Sequence, residues 1–433
     1  MLISWGTLNR IHSSEFWPIY FSKYTFKWSE IETILFKPLF NLFLSLFHWL
    51  PVTDVQHILI IKIIFAFTGS FQIYLFYLIC KQLLNQTKQS TLFSLLLTLT
   101  LLTEPYFLEN YFRVRSDQLS TTVFLFILYL QLTSPLKPNQ KFILIVLNCA
   151  IAIKSFFYSL LFSTQISPQY HFTRKQKIYF SLGALALFVW LINIFWKAIL
   201  YYLNTLESYS LNLIHFKNWL RSDFLIVIMI VLNVSFILIQ RIKNSYKWIS
   251  FTAILALIYT LVSQKYSFFL ASLLPLTYIA FVATFAARIK KSWLLGVILA
   301  TITLHGYRLS QEFKFNSNFQ QLKFIYLVEP FIKEKNYTYI DSIGLFPNQN
   351  NLNCFVSPDD HSSIQYCLDL INQQKVDIVI YTQRLMSIIQ TSQLIDNGYK
   401  DVGFNIYVKS SLDFKPLKFE NTYPALINFG FEM

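Results

Sequence analysis

Charged side chains crowd a short link between two long apolar stretches of the sequence. The link contains three acids and two guanidinium groups: Glu104, Glu109, Arg113, Arg115 and Asp117. Ionised groups are costly inside hydrocarbon, so we expect this cluster at a membrane face or in a wet cavity. Carboxylates beside guanidiniums also suit the binding of a charged head group. From this link alone, a solvated loop between two helices accounts for the same charges equally well.

A lysine interrupts a second apolar stretch, residues 141–166. One straight membrane helix would bury Lys154 near its middle, at a cost of roughly 2.5–3.5 kcal/mol. Two half-length helices that turn at Lys154 avoid this cost and keep the basic loops on one side of a membrane. The positive-inside bias makes that side cytoplasmic. The outer side then carries residues 1–56, the charged link, Lys154, Lys265 and everything after 307.

The composition excludes an ordinary soluble enzyme. Of 433 residues, 55% are hydrophobic and only 13% are charged, whereas soluble domains carry roughly 25% charged residues. Several apolar runs approach the roughly 20 residues that a helix needs to cross a bilayer. The formal net charge of +14 lies mostly in short loops between these runs, which favours a lipid bilayer rather than nucleic acid as the partner. We therefore predict a polytopic α-helical membrane protein.

The elements that would position the charged link are membrane helices and one surface helix. Candidate spans lie at 57–79, 91–108, 117–133, 178–200, 223–240, 249–264, 267–286 and 293–307. A shorter apolar stretch, 36–50, opens with Lys37-Pro38, and proline is well placed at a helix start. We expect this stretch to lie along the membrane surface.

After residue 307 the pattern changes to that of a small α/β domain. Helices are predicted at 316–335, 361–374 and 385–397, the last ended by Gly398, and strands at 337–343, 376–381 and 405–409. Cys354 and Cys367 both lie in this domain, on the outer side, where a disulfide can persist. Two buried, unpaired cysteines are the alternative. The sequence shows neither zinc-site spacing of cysteine and histidine nor a phosphate-cradling glycine loop.

The order of these features resembles the GT-C glycosyltransferases, especially the bacterial branch similar to protein mannosyltransferases and aminoarabinose transferases. The resemblance covers about residues 10–306. It rests on five motifs: Ser14-Glu15 after His12, Lys37-Pro38-Leu39, Arg115-Ser116-Asp117, Ala152-Ile153-Lys154, and the stretch from Gln264 to Pro275. Each motif is short, and their order and spacing carry the resemblance.

The resemblance implies transfer of a sugar from a polyprenyl-phosphate donor to a lipid, glycan or protein acceptor on the outer face of a bacterial inner membrane. It implies that Glu15 is the catalytic residue, which removes the acceptor's proton as general base. It also implies a set of substrate-binding residues: Arg113, Arg115, Asp117, Lys154, Lys37, Lys265 and Tyr266. Lysine and arginine would hold the phosphate and stabilise its growing charge, while Asp117 would orient Arg115. No cofactor is indicated; a divalent metal is compatible with the chemistry, but the sequence does not point to one.

Two departures from the family pattern bear on this expectation. Ser14 occupies the position of the family's first acid, so Glu15 is the one carboxylate of the pair. The family's first membrane helix, which should precede this loop, is missing, because Met1 lies too close to Arg10. Three interpretations follow from these departures: a truncated sequence, a variant that uses Glu15 by itself, or an inactive relative.

The expected organisation has three parts: an outer loop with a surface helix at 1–56, a transmembrane domain at 57–307, and a periplasmic α/β domain at 308–433. Other function classes stay open. A lipid-linked glycan polymerase or ligase is also polytopic, with outer-face arginines, but usually has its large loop between spans. A transporter should show internal pseudo-repeats with ionisable groups near the midplane. A non-catalytic relative would keep the fold without the reaction.

Overall fold

The computed structural model describes residues 7, 11, 13–24, 37–84, 90–110, 112–134, 136–152, 155, 189, 229, 231, 235, 268–283, 291–312, 319–334, 337–341, 343–349, 361–403 and 405–413. The predicted spans at 178–200, 223–240 and 249–264 fall outside this set, apart from four isolated helical positions. Four predicted site residues also lie outside it: Lys154, Lys265, Tyr266 and Cys354.

The N-terminal and central parts of the described chain are helical. The helices are α1 (Ser13–Phe21), α2 (Pro38–Ser45), α3 (Asp54–Leu83), α4 (Ser90–Thr103), α5 (Pro105–Asn110), α6 (Ser116–Thr133), α7 (Pro138–Ile151), α8 (Phe268–Phe281) and α9 (Lys291–Glu312). A 3₁₀ turn, Leu46–Trp49, extends α2. The predicted surface helix at 36–50 is therefore a short α-helix with a 3₁₀ end.

Helix α3 is the longest described element. Thr53 begins it with a capping box, in which its hydroxyl accepts the Gln56 N–H and the Gln56 side chain accepts the Thr53 N–H. Its 30 residues rise about 45 Å, which exceeds the roughly 30 Å of a bilayer's hydrocarbon core. Among the described residues, α3 is the one helix long and apolar enough to cross a membrane. It extends the predicted span 57–79 at both ends.

The long helices pack as a bundle around an apolar core. Helix α3 packs against α4 and α6, α6 packs against α7, and α9 packs against α4. Gly69 allows α6 to approach α3 closely, because a Cβ at this position would lie 2.8 Å from the Phe112 ring and 2.9 Å from the Gln118 amide. A glycine in the interior of a helix is otherwise unfavourable, so packing explains its presence here.

The start of α3, the start of α6 and the end of α7 meet at one end of the bundle. They share an apolar cluster with α1 and α2 that includes Ile19, Phe40, Ile61, Val114 and Ile151. Helix α7 ends at Ile151, and Ala152 is extended, with φ −150° and ψ 118°. The helix therefore stops close to the turn predicted at Lys154, which itself lies outside the described residues.

The predicted span 91–108 is interrupted by an acid–proline pair. Helix α4 ends at Thr103, and a new short helix, α5, begins at Pro105. The Glu104 carboxylate accepts the Phe107 N–H at 2.5 Å, so it caps α5. Proline is favoured in the first turn because it has no N–H to satisfy there, which explains the break.

The C-terminal part of the described chain is a small α/β unit. Its elements are α10 (Phe319–Glu334), β1 (Tyr339–Ile340), α11 (His361–Asn372), β2 (Ile378–Ile380), α12 (Gln383–Met386), α13 (Thr391–Asp396), β3 (Tyr399–Asp401) and β4 (Ile406–Lys409). The strands form one sheet in the order β1-β2-β4-β3. Strands β1 and β2 are parallel, and the other two pairs are antiparallel.

This unit differs from the sequence-based prediction in two places. The helix predicted at 385–397 is divided into α12 and α13. The Gln393 side chain accepts the Gln390 N–H at 2.8 Å, which caps the start of α13. Strand β3 was not predicted; it follows Gly398, whose positive φ of 82° ends α13 and lets the chain turn back.

The cysteines fall into two groups. Cys80 and Cys149 are buried free thiols in the helical bundle. Cys367 in α11 is buried and disulfide-bonded. Its predicted partner, Cys354, lies outside the described residues, so the pairing stays a prediction.

Candidate functional site

Glu15 and Lys62 form an ion pair in the interior of the protein. Glu15 lies in the first turn of α1, and Lys62 lies in α3. The Lys62 Nζ is 3.0 Å from the Glu15 Oε1, and the two side chains are 1% and 0% exposed. A buried charge is very costly without a partner, so each of these groups requires the other.

The charged link is attached to the same carboxylate. The backbone N–H of Val114 donates to the Glu15 Oε1 at 2.9 Å. One carboxylate oxygen thus connects α1, α3 and the turn before α6. Helix α6 begins directly after Arg115, so this contact fixes the position of the next two charged side chains.

Arg115 and Asp117 form the second charged pair of the site. Their closest atoms, Nη2 and Oδ2, are 3.6 Å apart, and the side chains are 13% and 12% exposed. Burial lowers the pKa of the Arg115 guanidinium, while the carboxylates of Asp117 and Glu15 act in the opposite direction. Arg115 therefore lies within electrostatic reach of Glu15 as well as Asp117.

Lys37 completes the group. It directly precedes α2, which begins with Pro38, and it is exposed. Desolvation is the largest cause of the lowered pKa of its ammonium; Asp117 opposes this shift and Arg115 adds to it. Lys37 therefore lies within electrostatic reach of both members of the Arg115–Asp117 pair.

The structure brings together four of the predicted site residues, Glu15, Lys37, Arg115 and Asp117. They come from α1, the residue before α2 and the start of α6, which are far apart in the sequence. With Lys62, these groups carry three positive and two negative formal charges, a balance of +1. Such a site favours an anion of a size that Lys37 and Arg115 can both reach.

The remaining predicted residues are placed only in part. Arg113 lies in the same link and is 2% exposed. Lys154, Lys265 and Tyr266 lie outside the described residues. Helix α7, which leads to Lys154, ends beside Val114 and Ile19 in the shared apolar cluster.

Lys62 has no role in the sequence-based prediction, which placed it inside the span 57–79. The signal that could have identified it is the same one that drew attention to Lys154, since an ionisable residue within an apolar helix requires a partner. Its partner, Glu15, is 47 residues away in the sequence, and no local pattern reveals that pairing.

Polar side chains fix the start of α6 against its neighbours. The Gln118 amide donates to the Phe65 carbonyl at 3.1 Å, and the Ser120 hydroxyl donates to Asn148 at 2.9 Å. The Thr122 hydroxyl donates to the Gln72 side chain at 2.8 Å. These contacts link α6 to α3 and α7 on the same side as the charged pairs.

The C-terminal unit holds α1 from the opposite side. The Gln321 side chain of α10 accepts the Ile11 N–H at 2.8 Å and donates to the Ile11 carbonyl at 2.9 Å. Gly344 lies so close to Tyr20 of α1 that a Cβ there would approach the Tyr20 Cβ to 2.6 Å. Helix α1, and with it Glu15, is therefore enclosed between the helical bundle and the α/β unit.

The same unit also contacts the start of α3. The Asn348 N–H donates to the Asp54 carboxylate at 2.7 Å, and the Asn348 side-chain oxygen lies 3.0 Å from the His57 Nδ1. These contacts place the α/β unit at the end of the bundle that carries the charged pairs.

Within the part of the chain that the structure describes, no group of three or more histidine, cysteine or acidic side chains is arranged to hold a metal ion. Comparison with protein-family models, with curated proteins and with solved structures finds no match for this chain.

Proposed function

We propose that this chain is a polytopic membrane glycosyltransferase of the GT-C type. It moves a sugar from a polyprenyl-phosphate donor to a lipid, glycan or protein acceptor on the outer face of a bacterial inner membrane. One observation supports this proposal above the others: Glu15, Lys37, Arg115 and Asp117 lie together at one end of the helices.

Membrane embedding is supported by the outer surface of the bundle. On α3, four large apolar side chains follow one face of the helix and are 39–56% exposed: Ile63, Phe67, Phe71 and Tyr74. On α4, Leu92, Leu95 and Leu99 form a similar face, each about half exposed. Continuous apolar surface of this kind is unfavourable in water, and a bilayer would cover it.

The orientation follows from the basic residues at the other end of the bundle. Lys81 lies in the last turn of α3, and Lys137 immediately precedes α7; both are exposed. The positive-inside bias assigns that end to the cytoplasm. The charged pairs and the α/β unit then lie on the periplasmic side.

The reaction requires three functions from the site. The acceptor oxygen forms a bond to the anomeric carbon, while the bond from that carbon to the phosphate oxygen breaks and its electron pair stays on the phosphate. The phosphate gains negative charge, which Arg115 and Lys37 stabilise. The acceptor's proton goes to the Glu15 carboxylate, and Asp117 orients Arg115.

A second candidate function is a non-catalytic relative that binds the lipid phosphate. It is favoured by the complete burial of Glu15 and its contacts to Lys62 and Val114, since these contacts give the carboxylate a structural role. Because the Glu15 side chain is completely buried, the acceptor hydroxyl can reach the carboxylate only if neighbouring groups move.

Lipid-phosphate binding tests the site in both cases. Wild-type protein in lipid nanodiscs should bind a polyprenyl phosphate in preference to the polyprenol of equal length. Arg115→Gln should weaken phosphate binding roughly 10- to 100-fold, because a hydrogen bond to a charged group contributes about 1.5–3 kcal/mol. Lys81→Gln, at the opposite end of the bundle, is the matched control and should bind as wild type does. Equal binding of polyprenol and polyprenyl phosphate would refute the proposed anion site.

A further inference from the structure

We propose that Lys62 is a positioning residue, which keeps the Glu15 carboxylate ionised and correctly oriented for proton transfer. This inference rests on the proposed glycosyl transfer and adds to it a residue that the sequence did not identify.

The surroundings of Lys62 explain why it can have this role. Its neighbours along the buried face of α3 are apolar, namely Ile58, Ile61, Phe65 and Ala66, and all are fully buried. Lys62 itself is 1% exposed. An ammonium group in such surroundings is unfavourable unless an anion compensates it, and Glu15 supplies that anion at 3.0 Å.

The same reasoning applies to Glu15. Its side chain is completely buried, and desolvation disfavours the charged form of a carboxyl group. A neutral carboxylic acid cannot accept the acceptor's proton. The Arg115 guanidinium also acts on Glu15, but Lys62 is in direct contact at 3.0 Å. Its ammonium therefore favours the ionised form that a general base needs.

Among the described residues, two donors hold one oxygen of the Glu15 carboxylate. The Lys62 ammonium and the Val114 N–H both reach Oε1, at 3.0 and 2.9 Å. Two contacts to one oxygen from different directions restrict rotation of the group. Because the Val114 contact ties this oxygen to the link that carries Arg115, the base keeps a fixed relation to the phosphate-binding side chains.

Lys62 differs in this respect from the other two cations. Arg115 and Lys37 share Asp117 as a neighbour; the Arg115 side chain is 13% exposed and Lys37 is exposed. Lys62 is 1% exposed and pairs directly with Glu15. Its replacement should therefore change proton transfer while leaving phosphate binding intact.

The test compares Lys62→Met with wild type in three measurements. Transfer at neutral pH should fall roughly 10²-fold, as expected for loss of a general base, and the activity that remains should rise toward higher pH. The binding of polyprenyl phosphate should stay within a few-fold of wild type. Infrared spectroscopy should show a protonated-carboxyl C=O band at neutral pH that disappears in Lys62→Met/Glu15→Gln.

Two further variants serve as controls. Lys81→Met, near the end of the same helix, should leave all three measurements unchanged. Lys62→Arg keeps the charge and should retain the wild-type pH profile. If Lys62→Met does not fold, Lys62→Gln replaces it in the infrared measurement, because it keeps a donor without a charge.

The outcomes separate the two proposals. An unchanged pH profile together with the absence of the protonated-carboxyl band in Lys62→Met would overturn the role of Lys62. Wild-type protein that neither binds polyprenyl phosphate nor transfers sugar would overturn the glycosyltransferase proposal. The infrared band would still decide whether Lys62 keeps Glu15 ionised.

Discussion

Replacing Gly69 with alanine should destabilise the packing that fixes the charged link. The added Cβ would lie 2.8 Å from the Phe112 ring and 2.9 Å from the Gln118 amide. Phe112 is 2% exposed and cannot yield without moving the link that follows it. Because Arg115 is only three residues further along, the shift should reach the proposed phosphate site.

The size of the effect follows from two opposing contributions. Alanine is favoured over glycine in a helix interior by about 1 kcal/mol, whereas overpacking a filled interior costs about 1–3 kcal/mol. The net result for Gly69→Ala is a loss of about 0–2 kcal/mol in the free energy of unfolding. At Gly296 in α9, an added Cβ meets nothing within 4 Å, so Gly296→Ala should gain up to about 1 kcal/mol.

Thermal unfolding of both variants in the same nanodiscs measures this difference. Gly69→Ala should melt below Gly296→Ala and should bind polyprenyl phosphate more weakly than wild type. Equal stabilisation by the two substitutions would refute the close approach of α3 and α6, and with it the position assigned to the link.

Two other predictions concern the α/β unit and the topology. Burial alone would raise the pKa of Asp377, but hydrogen bonds from a neighbouring threonine and the Lys409 ammonium hold it below its usual value. Asp377 therefore contributes to the free energy of unfolding above about pH 4, and this contribution is lost as the pH falls further. In urea unfolding, Asp377→Asn should lose less stability than wild type when the pH is lowered below about 4. An identical loss of stability in both proteins would contradict this. Reporter fusions after Lys88 and Lys291 should indicate the cytoplasm and a fusion after Ser411 the outside; a cytoplasmic reporter at Ser411 would contradict the shared outer face.

Periodicity and start signals gave good predictions for elements whose ends are set locally. Helix α6 begins at Ser116, one residue before the predicted span. The capping box at Thr53 is a local signal too, but the prediction did not use it, and α3 begins three residues before the predicted span. The local sequence Glu104-Pro105 also indicates the break between α4 and α5, although the predicted span continued through it to residue 108. Proline after an acid was the signal that should have ended the helix there.

The contacts that build the site could not be predicted in the same way. Residue type and order were enough to select Glu15, Arg115 and Asp117. The partners of the Glu15 carboxylate, Lys62 and the Val114 N–H, depend instead on how α1 packs against α3. Such packing depends on how the side chains of all the helices in the bundle fit together, which a local sequence pattern does not contain. Strand β3 is another example, because three residues beside a glycine turn become a strand only through pairing with β4.

Sugar transfer by purified protein is the direct test of the proposed glycosyltransferase activity. Wild-type protein should transfer a labelled sugar from at least one member of a set of polyprenyl-phosphate sugars. Glu15→Gln keeps an oxygen that can accept from Lys62 and Val114, and it should bind polyprenyl phosphate within a few-fold of wild type while losing roughly 10²–10⁴-fold in transfer. Transfer by Glu15→Gln at the wild-type rate would contradict the assignment of Glu15 as the base. Wild-type protein that binds polyprenyl phosphate but transfers no sugar from any donor would contradict the glycosyltransferase proposal in favour of a non-catalytic relative.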